Sequence, residues 1–341
     1  MTEESVIDRV VGCLLGMAVG DAMGQASDGM TAYQVMKEYR YIDGFFKRKD
    51  LPGSSGRIGC STQFSFMTLR WIMNSRFKLD VSSFSEMHVK TLSKSRGWDE
   101  HTVNCVKKMA SGTPYENCGE KSFNPTFISK CIVVGIISGV RNVDDEAMYK
   151  AVTKIAKGTN IGTLSVLSAF VLACVIRESI RSYESISTPL ELYDGPESLC
   201  ERIRRACLVK EKEMDPSDLE HDRMSDRIRY VIRNLQKGKT IREFMSCNGW
   251  ENCLEVSSLV LFSFMTAPED FKALSEIASM GRNAALCSSL TGALIGAYAG
   301  LSFLPKNMKE GLESALLIEQ EAKEFASFLI AKEEKTDGSS N

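Results

Sequence analysis

The sequence predicts an all-α protein folded as a single large helical domain. Apolar residues recur at helical spacing along almost the whole chain. Sustained alternation of Val, Ile and Thr is scarce, so no segment reads as a strand. Two glycine ladders, Gly12/Gly16/Gly20 and Gly292/Gly296/Gly300, each put small residues on one helix stripe, where another backbone can approach closely. They predict two closely packed helices, one near each end of the chain, that close it into one domain.

Periodicity places helices at residues 5–23, 62–74, 81–95, 99–111, 127–139, 144–157, 164–183, 197–212, 224–237, 241–246, 253–265, 271–279, 284–304 and 308–332. Thr2 or Ser5 is placed to cap the first. The second is rich in core residues, among them Phe64, Phe66, Met67, Leu69 and Trp71. Residues 186–195 form a Pro/Gly-marked loop, and the charge run 210–227 reads as a solvated rim. The helical domain spans 1–332, and the polar tail 333–341 is expected to fray.

The 341 residues are 43% hydrophobic, 25% charged and 8% aromatic, enough apolar mass to offset ordering entropy through the bulk of the chain. Lys and Arg number 42 and Asp and Glu 44, a net charge of −2. That balance lacks the basic excess of a nucleic-acid surface or a polybasic membrane anchor. Eleven cysteines form no CxxC pair and no Cys/His cluster of zinc spacing. With an acidic N-terminus, they suggest reduced thiols in the cytoplasm. Between Arg282 and Lys306 no residue is charged, roughly the length of a membrane span. Asn283, Ser288, Ser289 and Thr291 dilute that stretch, and the mean hydropathy is −0.13, so it reads as a buried central helix.

The segment from Gly12 through Gly16 and Gly20-Asp21 to Gly24 resembles the opening signature of the ADP-ribosylglycohydrolase family. The segment from Gly281 through Gly292, Gly296 and Tyr298 to Gly300 is similar to its closing one. The resemblance runs from about Val6 to Pro305 and implies an orthogonally packed helical domain. It also implies hydrolysis of ADP-ribosyl bonds by two magnesium ions in a central cleft.

Magnesium wants oxygen ligands, carboxylates above all. The family's Thr-Asp-Asp-Thr motif falls on Gly59, Cys60, Ser61 and Thr62, of which only Thr62 matches. Its late Asp-x-Asp-Thr motif falls on Asn283, Ala284, Ala285 and Leu286. No carboxylate ligand of either motif survives, so the resemblance carries no cofactor over and the magnesium pair is expected to be lost. Zinc at Cys60 lacks partners in the sequence.

Other matching positions have drifted. An acidic residue of the family corresponds to Asp28, which reads as a solvated loop residue. Asn124 keeps the asparagine of a mid-chain motif, and Asn160 replaces the histidine of a Thr-His pair, removing its titration. Asp28, Thr62, Asn124 and Asn160 are therefore the candidates for a residual ligand cleft. Asp21 matches but reads as a structural hydrogen-bonding residue.

His88, His101 and His221 lack partner motifs. Cys60 at a helix start is a candidate low-pKa nucleophile, and Gly53-Ser-Ser-Gly56-Arg57 a candidate anion loop. The expected function is thus a catalytically inactive member of the fold, with a structural or partner-binding role and its cleft filled by side chains such as Leu286 and Phe64. The lens J-crystallins are a branch of this superfamily used structurally. The alternatives are an ADP-ribose or nucleotide-binding module and a residual hydrolase of different mechanism.

Overall fold

A computed structural model describes residues 2–48, 55–182, 189–214 and 222–331. Among the described residues there are sixteen α-helices and no strand. Helix α1 (Glu3–Gly24) starts where Thr2 accepts the Ser5 amide at 3.2 Å, with Glu3 and Glu4 at its positive end. Helix α14 (Ala284–Ala299) runs antiparallel along it, and the two glycine ladders interlock. A Cβ on Gly12 would lie 2.6 Å from the Gly296 carbonyl oxygen. At Gly16 and Gly20 the carbonyls of Gly292 and Ser288 come closer still. Only glycine allows that separation, which turns a weak sequence pattern into the central axis of the fold.

Around the axis lie α3 (Cys60–Ser75), α6 (Ile128–Arg141), α8 (Thr163–Ser182), α12 (Cys253–Thr266), α13 (Lys272–Ala278) and α16 (Ala315–Ile330). Gly135 repeats the close-approach device between α6 and α8, its added Cβ falling 2.7 Å from the Ala173 carbonyl oxygen. The outer helices are α2 (Ala32–Glu38), α4 (Val81–Leu92), α5 (Glu100–Ala110), α7 (Asp145–Ala156), α9 (Leu199–Glu211), α10 (Met224–Gln236), α11 (Ile241–Cys247) and α15 (Lys306–Gly311). One continuous apolar cluster links the inner and outer helices.

Several boundaries differ from the sequence reading. The helix expected at 284–304 stops at Ala299, because Gly300 takes φ +67° and the chain tightens into a 3-10 turn. The 308–332 segment is two helices, separated by Leu312 in extended backbone and Ser314 at positive φ. Helix α2, missed by periodicity, is opened by a capping box between Thr31 and Gln34. In the charge run, Glu211 is buried rather than solvated, accepting from the Ser225 amide at 3.0 Å and its hydroxyl at 2.5 Å. His221, the tail 333–341 and part of the 186–195 loop lie outside the described residues.

Two segments, Thr163–Arg181 and Ala284–Phe303, are long and apolar enough to cross a membrane. Both are buried by neighbouring helices, which is how the sequence reading took the second.

Candidate functional site

The last turn of α1 meets the first turns of α3 and α14. Neither α3 nor α14 has a side-chain cap from its own N-cap residue, Gly59 or Asn283. Their amides are satisfied from α1 and the loop after it instead. Asp21 Oδ2 accepts from the Gly59 amide at 2.9 Å, the Thr62 amide at 3.0 Å and Thr62 Oγ1 at 2.7 Å. Its Oδ1 accepts from Gln25 Nε2 at 3.1 Å. Asp28 Oδ1 accepts from the Ala285 amide at 3.0 Å.

The loop is fixed by reciprocal backbone bonds, Gly29 N to Arg282 O at 2.6 Å and Arg282 N to Met30 O at 2.7 Å. Asn283 Nδ2 donates to the Trp250 carbonyl at 2.7 Å. Burial pushes the Asp21 carboxyl up against the hydrogen bonds that favour its charge. Burial likewise raises Asp28, to about 6; the Ala285 amide opposes the rise, Asp21 adds to it, and Arg48 opposes it. Asp28 is therefore not a solvated loop residue but the cap of α14.

The structure brings the motif positions together around these caps. At Gly59 a Cβ would fall 2.7 Å from Asp21 Oδ1 and still closer to Gln25 Nε2, so a larger residue has no room. Ser61 is fully buried with no hydrogen-bond partner for its hydroxyl. Ala285 and Leu286 are buried, and Leu286 joins the apolar core. Phe64 is in the core too, its ring 4.7 Å from that of Trp98. Cys60 is half-buried, and its thiol is pushed well up by burial and by Asp21, Asp28 and Asp99. The lowered pKa expected from its place at a helix start does not arise, because burial, with three carboxylates adding to it, outweighs the helix dipole.

Asn124 and Asn160 form a second cluster. Asn124 Nδ2 donates to Asp99 Oδ1 at 3.1 Å, and its Oδ1 accepts the Thr126 amide at 3.0 Å. Asn160 Nδ2 donates to the carbonyls of Ser122 at 2.9 Å and Asn124 at 3.2 Å. Its Oδ1 is buried with no hydrogen-bond partner. Asp99, missed in the sequence, caps α5 through Thr102 and stands close enough to raise Cys60. His88 and His101 have structural contacts: His88 Nδ1 meets Phe84 O at 2.8 Å, and His101 Nε2 meets Thr159 O at 3.0 Å.

Beside the caps lies a cleft of about 270 Å³, bounded by Ala22, Gln25, Phe46, the turn 56–59 and the turn 95–97. Its charged lining residues are Arg48, Arg57 and Arg96. Sequence reasoning found Arg57 within a candidate anion loop but missed Arg48 and Arg96. Gly53 and the serine after it lie outside the described residues.

A family model for ADP-ribosylglycohydrolases matches residues 2–338, almost the whole chain. The chain belongs to the ADP-ribosylglycohydrolase family. A solved structure described as an ADP-ribosylglycohydrolase-related protein complex shares the fold, with a TM-score of 0.70 at 17% identity over 96% of this chain and 99% of that one. No curated protein matches the sequence.

The residues at this ADP-ribosylglycohydrolase site do not fit a magnesium pair. The oxygens of Asp21 are taken by two amides, a hydroxyl and a side-chain amide, and Oδ1 of Asp28 accepts the Ala285 amide. Ser61, Thr62 and Asn283 offer only neutral oxygens for two dications. Among the described residues no group of three or more His, Cys, Asp or Glu side chains is placed to hold a metal ion, and Cys60 gains no zinc partners.

Proposed function

We propose that this chain is a catalytically inactive ADP-ribosylglycohydrolase-like protein, kept for a structural or partner-binding role. The observation that carries the reading is the use of Asp21 and Asp28 as caps for α3 and α14. The carboxylates nearest the motif positions tie three helices together, and the positions themselves are Gly59, Cys60, Ser61, Asn283, Ala285 and Leu286. None of those positions carries a carboxylate, and the two that stand nearby, Asp21 and Asp28, are bonded to the amides of α3 and α14.

A cytoplasmic setting, independence from nucleic acid and membrane, and a bulk role like that of the lens J-crystallins belong to the same proposal. They are supported by the near-neutral charge and by burial of ten of the eleven cysteines at least in part. A second reading is retention of ADP-ribose or a nucleotide without cleavage. The unpartnered Asn160 Oδ1 favours it, because a buried acceptor invites a donor. A hydrolase built on Cys60 draws no support from a thiol whose pKa is pushed up.

The test is release of ADP-ribose from an ADP-ribosylated protein, with millimolar magnesium present. Release at the uncatalysed rate is expected. Turnover that scales with enzyme concentration and is lost on chelation would overturn the proposal.

A further inference from the structure

We propose that the outer face of α16 is a self-association surface, on which a second copy of this chain docks with its own α16 antiparallel. Such a contact is independent of whether the chain turns over substrate. The first turn of α16, Ala315, Leu316, Leu317 and Ile318, is apolar on every side. Ile318 packs inward with Ala322, Phe325, Ala326 and Leu329, as an amphipathic helix requires. Leu316 and Leu317 do not. They are 86% and 53% exposed, and Leu316 is the most exposed large apolar side chain among the described residues. A shallow groove of about 570 Å³ runs along this face, lined by Leu316, Glu319, Gln320, Lys323, Glu324 and Ser327, all on α16.

The order of residues on that face fits the same face turned end for end. Helical periodicity puts Leu316, Gln320 and Ser327 along its middle, Glu319 and Lys323 on one flank, and Leu317 and Glu324 on the other. A two-fold contact between identical helices is isologous, and antiparallel pairing sets each flank against the same flank of the other copy. A two-fold axis between Glu321 and Ala322 sets Leu316 against the second copy's Ser327, a side chain small enough to receive it. The same register sets Glu319 against the second copy's Lys323, and Lys323 against the second copy's Glu319. Within one chain these two groups already lie 2.6 Å apart, so the contact shares charges that are in place. On the other flank Leu317 meets the aliphatic stem of the second copy's Glu324. Parallel pairing would instead bring Glu319 against Glu324, two like charges across the seam. This self-complementarity identifies the occupant as a second copy.

One face of a 16-residue helix is smaller than the roughly 800 Å² per partner of a standard interface, so the contact is weak. A dissociation constant between about 10 µM and 1 mM is expected.

The experiment is sedimentation equilibrium of the full chain from about 1 µM to 1 mM. A reductant is present, so that the exposed Cys247 adds no disulfide. The average mass is expected to climb with concentration from 37.8 kDa toward twice that value. Leu316→Glu should weaken association at least about tenfold, because a buried leucine is worth a decade of affinity or more. Lys323→Glu and Glu319→Lys should each associate less than wild type, since each sets like charges together. An equimolar mixture of those two variants should associate roughly threefold more tightly than either alone, because both flank contacts regain opposite charges in the mixed pair. Tyr33→Glu, at an exposed position on α2, should leave the affinity unchanged. All these positions face outward, and matched unfolding midpoints check that the fold is kept. The proposal is overturned if the mass stays at 37.8 kDa to the highest concentration, if Leu316→Glu associates like wild type, or if the mixture associates no better than its components. None of these results bears on the turnover assay.

Discussion

Thr62 Oγ1 donates to Asp21 Oδ2 at 2.7 Å, joining the first turn of α3 to the last turn of α1 through a fully buried bond. The same oxygen takes the Gly59 and Thr62 amides, so one carboxylate oxygen satisfies three donors. Asp21→Ala leaves all three without their acceptor and should cost about 2–4 kcal/mol, whereas Thr62→Val removes one hydroxyl and should cost about 1 kcal/mol. Denaturant unfolding of both variants reads the difference. Equal costs would mean that Asp21 does not act as the cap of α3.

The axis gives a steric prediction. Gly20→Ala drives a Cβ into the Ser288 carbonyl and must separate α1 from α14. A loss of about 3 kcal/mol or more is expected, at the upper end of overpacking costs. Gly44→Ala meets nothing within 4 Å and should stay within about 0.5 kcal/mol of wild type. Thermal midpoints of the pair measure the contrast.

Asp28 predicts a pH dependence. Its carboxyl is raised to about 6 in the fold, so it favours the folded state in the protonated form. That contribution is full below its ordinary pKa and is lost as pH climbs through 6. Asp28→Asn keeps an oxygen for the Ala285 amide and cannot ionise. It should match wild type near pH 4 and exceed it by about 2 kcal/mol at pH 7.5, a discounted figure at roughly 1.4 kcal/mol per pKa unit. Urea midpoints across that range would show a flat difference if the carboxyl were not raised.

Lys130 has the opposite sign. It is fully buried, its amine has no hydrogen-bond partner, and it lies 5.1 Å from the Phe64 ring centroid. Burial lowers it to about 8, so the fold carries a charging penalty below pH 8 that fades as pH rises toward the ordinary lysine value. Lys130→Met removes the penalty and should be more stable by about 2 kcal/mol at pH 7, the gain shrinking by pH 10. An unchanging gain would trace the effect to packing instead.

The parts of this molecule readable in the sequence are those governed by local periodicity or by the absence of a side chain. Gly12, Gly16, Gly20 and their partners in α14 announced the helix pair, because only glycine permits that approach. The drift at Gly59, Cys60 and Ser61 was visible for the same local reason. Asp28 was misread because its cap partner, Ala285, lies 257 residues away. Asp99, Arg48 and Arg96 reach the site by turns that carry no periodic signal. Lys130 gave no sign of burial, since lysine is the side chain least expected in a core. Helix α2 was legible in retrospect from Thr31 and Gln34, but Tyr33 and Met36 point outward and broke the apolar pattern.

The central claim is that this site, without the motif carboxylates and with Asp21 and Asp28 bonded to helix amides, takes no magnesium pair. Its most direct test is the unfolding midpoint with and without ADP-ribose, each with and without millimolar magnesium. The capped site predicts that magnesium leaves the midpoint unchanged whether or not ADP-ribose is present. A rise that appears only when magnesium and ADP-ribose are added together would contradict it, and would mean that Asp21 and Asp28 release their helices to hold an ion.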